Sequence, residues 1–176
     1  MAGEYLDVNG DYMPFFWRND TIHGIYAVGG GNWAVPTAMN DSGTVVGWSR
    51  FASIFSAGFQ KAFRWSLADG ATDLGTLGGD KYLLPGARVE SFASDINNKG
   101  QIVGYTPAAV DSQSVRHGFI WENGQMKDLD PNAYLYPFAI NDNGEVLVTD
   151  RTADDGQLMI WRFPSQSLGK CQCLFV

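Results

Sequence analysis

The chain has 176 residues, of which 45% are apolar and 14% aromatic, and it carries a formal net charge of −7 with a pI near 4.6. That is enough chain for one domain with a sizeable core, and too much apolar content for disorder. An acidic chain whose 12 Lys and Arg are scattered repels a phosphate backbone, and no apolar run approaches the about 20 residues of a membrane helix, so neither nucleic-acid binding nor membrane insertion is expected.

The opening segment, Met1 to Met13, has neither the basic nor the apolar region of a signal peptide, so the sequence reads as a cytoplasmic protein or a piece of a longer one. Within it, Asp7-Val8-Asn9-Gly10-Asp11 looks like the start of a calcium loop. Tyr12 stands where the loop needs Gly and Arg18 where it needs Glu, so the stretch is read as strand and turn, with Val8 to Tyr12 as the last strand of a unit. No metal site and no cofactor are expected.

A repeated sentence follows. Asn40-Asp41-Ser42-Gly43, Asn97-Asn98-Lys99-Gly100 and Asn141-Asp142-Asn143-Gly144 each follow an apolar pair or near-pair and each precede a strand-like run, Thr44 to Gly47, Gln101 to Gly104 and Glu145 to Val148. Asn and Asp tolerate left-handed backbone and Gly adopts it freely, so each block predicts a β-hairpin. Between the hairpins recur Phe15-Phe16-Trp17, Phe63-Arg64-Trp65, Phe119-Ile120-Trp121 and Met159-Ile160-Trp161, whose outer members lie two apart on one strand face. A further short strand follows the first three of these, at Gly24 to Gly29, Ala71 to Gly75 and Met126 to Asp130.

The unit recurs every 40 to 57 residues, from the Trp121 to Trp161 and Asn40 to Asn97 spacings, and contains four short strands. Four-stranded antiparallel units of this size build β-propellers. The predicted fold is all-β, propeller-like, one domain over 1–176, with units at about 13–49, 61–106 and 117–150 and a partial unit from 157–176 with 1–12. Two arrangements fit: a small closed propeller, or a propeller fragment. A β-solenoid of hairpins is the structural alternative.

The order Ala62-Phe63-Arg64-Trp65, Ala71-Thr72-Asp73-Leu74-Gly75-Thr76-Leu77-Gly78-Gly79, Ala93 to Tyr105, then His117-Gly118-Phe119-Ile120-Trp121 resembles the HAF-repeat family of bacterial extracellular repeat proteins. The likeness covers about residues 13–163 and is closest over Ala62 to Trp121. Met13-Pro14 replaces His-Ala in the first unit, the third lacks Leu-Gly-Gly, and only His117 keeps the family's His. The resemblance implies an extracellular setting and no established reaction.

Strand alternation puts two sets of connections on one face, and the extra residues are there: Arg50 to Lys61, Asp80 to Ser91 and Pro107 to Arg116. Long loops on a rigid scaffold are where binding concentrates. The candidate surface carries Phe55, Tyr82, Arg88, Glu90, Asp111 and Arg116. Trp33, Trp48 and Tyr105 join it as aromatics with a polar handle, suited to sugars or peptides. The plainer reading has these rings filling space between units, and Phe51, Ile54, Phe55 and Phe59 packing a small helix.

Catalytic signals are thin. His23 and His117 are the only histidines, Cys171 and Cys173 lie in the C-terminal tail, and neither a nucleophile motif nor a phosphate loop occurs. The last four residues superficially match a prenylation box; they read as an irregular tail. The expected function is a non-catalytic binding module for a protein or glycan. Beside it stand a carbohydrate-active hydrolase or lyase using carboxylates from different blades, and a purely structural fragment.

Overall fold

A computed structural model of the chain describes residues 1–8, 12–26, 28, 33–53, 56–79, 90–110, 113–151 and 158–162. Fourteen strands are present among them: β1 (Ala2–Leu6), β2 (Tyr12–Arg18), β3 (Thr21–Gly24), β4 (Ala34–Met39), β5 (Val45–Ser53), β6 (Ser56–Ser66), β7 (Gly70–Asp73), β8 (Phe92–Ile96), β9 (Ile102–Val110), β10 (Gln113–Glu122), β11 (Gln125–Asp128), β12 (Leu135–Ile140), β13 (Glu145–Asp150) and β14 (Leu158–Arg162). They form four antiparallel sheets in chain order, β1-β2-β3, β4-β5-β6-β7, β8-β9-β10-β11 and β12-β13-β14. The protein is all-β, and among the described residues no helix is long and apolar enough to cross a membrane.

The Asn-x-x-Gly turns join the first two strands of a sheet, β4–β5, β8–β9 and β12–β13. Gly43, Gly100 and Gly144 adopt φ of 86°, 80° and 79°, which explains glycine at the fourth place. The Trp segments form the third strand of a complete sheet. The units of about 13–49, 61–106 and 117–150 therefore each take two strands from one sheet and two from the next. One expected strand is corrected: Val8 lies in a turn and Tyr12 opens β2, while the strand pairing with β2 is Ala2–Leu6, because Gly3 takes the register opposite Phe15 that Gly47 and Gly104 take opposite Phe63 and Phe119.

Successive sheets pack face to face on three apolar clusters. Phe16 and Ile25 of the first sheet meet Ala34, Val45, Phe63 and Trp65 of the second. Val46, Ala62 and Leu74 meet Ala93, Ile96, Ile102 and Phe119 of the third. Val103, Ile120 and Leu129 meet Leu135, Ile140, Val146, Val148 and Trp161 of the fourth. Each of the two middle sheets is thus covered on both sides, which is why apolar residues run consecutively at Val45-Val46 and Ile102-Val103 rather than alternating. Arg64 takes the place of Phe16 and Ile120, and its guanidinium lies over the Trp121 ring, 5.4 Å from the centroid.

The first strand of the second, third and fourth sheets carries a bulge at Thr37, Ser94 and Phe138, between the residues flanking each. Thr37 Oγ1 uses it to donate across the junction to the Ala93 carbonyl (2.9 Å), and Asp95, beside the next bulge, accepts from the Ile140 amide (2.8 Å). The turns form a ladder as well. Asn40 Nδ2 donates to the Asn97 carbonyl at 3.1 Å and Asn97 Nδ2 to the Asn141 carbonyl at 3.0 Å, while Asn98 bridges Asp41 and Asp142.

Candidate functional site

Two of the expected long connections, Arg50 to Lys61 and Pro107 to Arg116, are hairpin ribbons where they are described, while of Asp80 to Ser91 only Glu90 and Ser91 are described. β5 and β6 continue past the edge strand as paired strands from Arg50↔Gln60 to Ser53↔Ser56, and β9 and β10 continue to Val110↔Gln113. Residues 51–53 and 56–59 are therefore strand, which overturns the small-helix reading of this segment: pairing satisfies its backbone in the ladder instead. Phe55, Tyr82, Arg88 and Asp111 lie outside the described residues.

At the level where the ribbons leave the sheets, aromatic rings form a row across three sheets. Trp48 meets Phe92 edge-on with centroids 5.6 Å apart, Phe92 stacks on Tyr105 at 4.8 Å, and Tyr105 meets Tyr136 at 5.1 Å. Arg151 closes the row, its guanidinium 4.7 Å from the Tyr136 centroid. All four rings are half-buried and Arg151 is exposed. Phe92↔Tyr105 is the last paired register of β8 on β9, and Tyr136↔Thr149 is the equivalent in the fourth sheet.

Charged groups gather beside the row. Arg116 forms an ion pair with Glu90, which is anchored where Glu90 bridges Gln60 of β6. Burial raises the Tyr105 hydroxyl above its ordinary pKa, with Arg116 and Arg151 opposing and Tyr136 and Glu90 reinforcing. Tyr105 therefore stays a neutral donor at physiological pH. Trp33, almost half exposed, sits apart at the start of β4 with Arg50 stacked 5.5 Å from its ring.

The structure thus brings Trp48, Tyr105, Glu90 and Arg116 of the expected surface into one neighbourhood, and it adds Phe92, Tyr136 and Arg151. Phe92 and Tyr136 had a readable signal: both stand five residues before the turn Asn, where the earlier unit has Val35. Arg151 follows its strand and had none.

A second polar feature lies between the third and fourth strands of a sheet. His117, 2% exposed, contacts Asp128 through Nδ1 at 2.8 Å, and Lys61 at the equivalent register contacts Asp73 at 2.5 Å. Two residue types doing one job at one register identify a sheet-tying pair. Burial raises Asp128 above the ordinary carboxyl range, opposed by its hydrogen bond with His117. Tyr134 from the fourth sheet sets its ring edge-on against His117 at 5.5 Å. No group of His, Cys, Asp and Glu fit to hold a metal ion occurs among the described residues.

Comparison with protein-family models, with curated proteins and with solved structures found no match.

Proposed function

We propose that this chain is a non-catalytic binding module, a propeller-like stack of sheets of the HAF-repeat kind that engages a protein or glycan on its ribbon side. The observation that carries the reading is the Trp48–Phe92–Tyr105–Tyr136 row: half-buried rings from three successive sheets, flanked by Arg116, Glu90 and Arg151. Rings with a polar edge offer apolar contact and directed hydrogen bonds at little conformational cost, and Tyr, Trp and Arg are the residues that anchor recognition surfaces. Sugar rings and peptide side chains both match that mixture.

The test is a glycan and peptide array probed with the wild-type chain, with Tyr105→Ala, and with Leu67→Ala, at an exposed turn outside the row. Binding to one ligand class, lost in Tyr105→Ala and kept in Leu67→Ala, supports the module. Binding that survives Tyr105→Ala means that the row is not the binding surface.

A further inference from the structure

The repeat states its own packing rule three times. At each junction, the residue in the middle of the Trp-bearing strand meets the Trp of the following sheet. Phe16 contacts Trp65 with centroids 5.3 Å apart, Arg64 lies over Trp121 at 5.4 Å, and Ile120 shares a buried cluster with Trp161. Beside them Ala2, Val46 and Val103, at equivalent registers of the neighbouring strand, point into the same junctions.

Among the described residues, two halves of such a junction stand open at opposite ends of the stack. On the fourth sheet, Ile160 and Leu147 hold the registers of Ile120 and Val103, and both are half-buried. With Ala139, Ile140, Asn141 and Glu145 they line an open depression of about 230 Å³. On the first sheet, the outward face carries Trp17 at the register of Trp65, with Met1, Tyr5 and Ile22. Their exposures are 40%, 64%, 47% and 63% respectively, where Trp65 is 5% and Val45, the counterpart of Met1, is 0%. A run of large exposed apolar side chains on one sheet face marks an interaction surface.

We infer that the chain associates head to tail with a second copy of itself, the first sheet of one copy covering the fourth sheet of another, with Trp17 seated against Ile160 and Leu147. The occupant is chosen by continuity with the internal junctions: what covers an Ile120-type face in this molecule is a Trp-bearing face, and the first sheet presents one that is uncovered. The new junction differs in one respect. Asn141 Nδ2 turns back to Glu145 Oε2 at 2.7 Å, so it does not reach a next turn as Asn40 and Asn97 do, and the apolar part of the contact between copies falls to Trp17, Ile160 and Leu147. Such a contact is heterologous: the two patches differ, and repetition gives either a closed ring of copies or a filament.

This inference is independent of the binding row, and its test uses mass in solution rather than ligand. Sedimentation or light scattering of the full chain should show species of two or more copies that grow with concentration. Trp17→Asp and Leu147→Asp should each be monomeric, and an equimolar mixture of the two should form a one-to-one dimer, because each variant keeps one intact half of the junction. Trp17→Ser and Leu147→Ser serve as milder versions, and an unfolding curve on each confirms the fold. A wild-type monomer at every concentration overturns the inference, whether residues 163–176 of the same chain or nothing covers the fourth sheet. Association that both single variants retain, or variants that stay monomeric when mixed, overturns it too.

Discussion

The side-chain amide of Asn97 donates to the main-chain carbonyl of Asn141 at 3.0 Å, so the turn of the third sheet is tied directly to the turn of the fourth. Asn97 also holds its own turn, its Oδ1 accepting from the amides of Lys99 (3.1 Å) and Gln101 (3.0 Å), and it is 4% exposed. The repeated Asn is therefore a residue of both the turn and the junction. A buried hydrogen-bonding group left without partners costs about 1–3 kcal/mol. Asn97→Ala should lower stability by about 3 kcal/mol. Asn141→Ala, at an exposed turn whose amide reaches only its own sheet, should cost about 1 kcal/mol. Denaturant midpoints compare the two, and equal losses would deny the junction its share.

The repeated glycine before the aromatic has a different cause from the glycine of the turn. A Cβ on Gly47 would lie 2.0 Å from the Val35 carbonyl oxygen, and one on Gly104 would lie 1.9 Å from that of Phe92. The bulged first strand passes too close to admit a side chain. Gly3 holds the same register in the first sheet, where the nearest atom to a Cβ is the Phe15 ring at 3.3 Å. Gly104→Ala and Gly47→Ala should each destabilise by more than about 3 kcal/mol, and Gly3→Ala by less than about 1 kcal/mol. Thermal unfolding of the three variants checks the order, and a Gly104→Ala protein as stable as wild type would contradict the close approach.

Asp128 supplies a pH signature. Its carboxyl is raised first by burial, with the His117 hydrogen bond opposing. A carboxyl that ionises less readily in the folded chain costs stability above its unfolded pKa, and that cost fades as pH falls through the raised folded value. The wild-type protein should therefore gain stability relative to Asp128→Asn as the pH is lowered from neutral into the acid range. Paired unfolding curves at neutral and acid pH measure the difference, and a gap moving the other way would mean that the contact with His117 outweighs burial.

Much of the fold was legible because a repeat meets the same neighbour each time. The Asn-x-x-Gly turns, the Trp strands and the four-strand count all follow from residues that recur at matched registers. The phase of the sheets was not legible, because a periodic pattern has no marked start; the short pairing of Ala2–Leu6 on β2 decides it. The ribbons escaped because Phe51 to Phe59 satisfies either a helical or a strand pattern, and cross-strand pairing settled the choice. Trp48 and Tyr105 were found as aromatics that depart from the repeated Trp. Their partners Phe92 and Tyr136 share a place five residues before the turn Asn, but that spacing does not say which rings they meet, because the contacts run to another strand or another sheet.

The most direct measurement is a chemical-shift map of the protein with the best ligand from the arrays. The account predicts perturbations concentrated at Trp48, Phe92, Tyr105, Tyr136, Arg116 and Arg151, with a tenfold or greater loss of affinity in Tyr105→Ala, about 1.4 kcal/mol or more. Perturbations centred elsewhere, with the row unmoved and Tyr105→Ala binding as wild type, would contradict it.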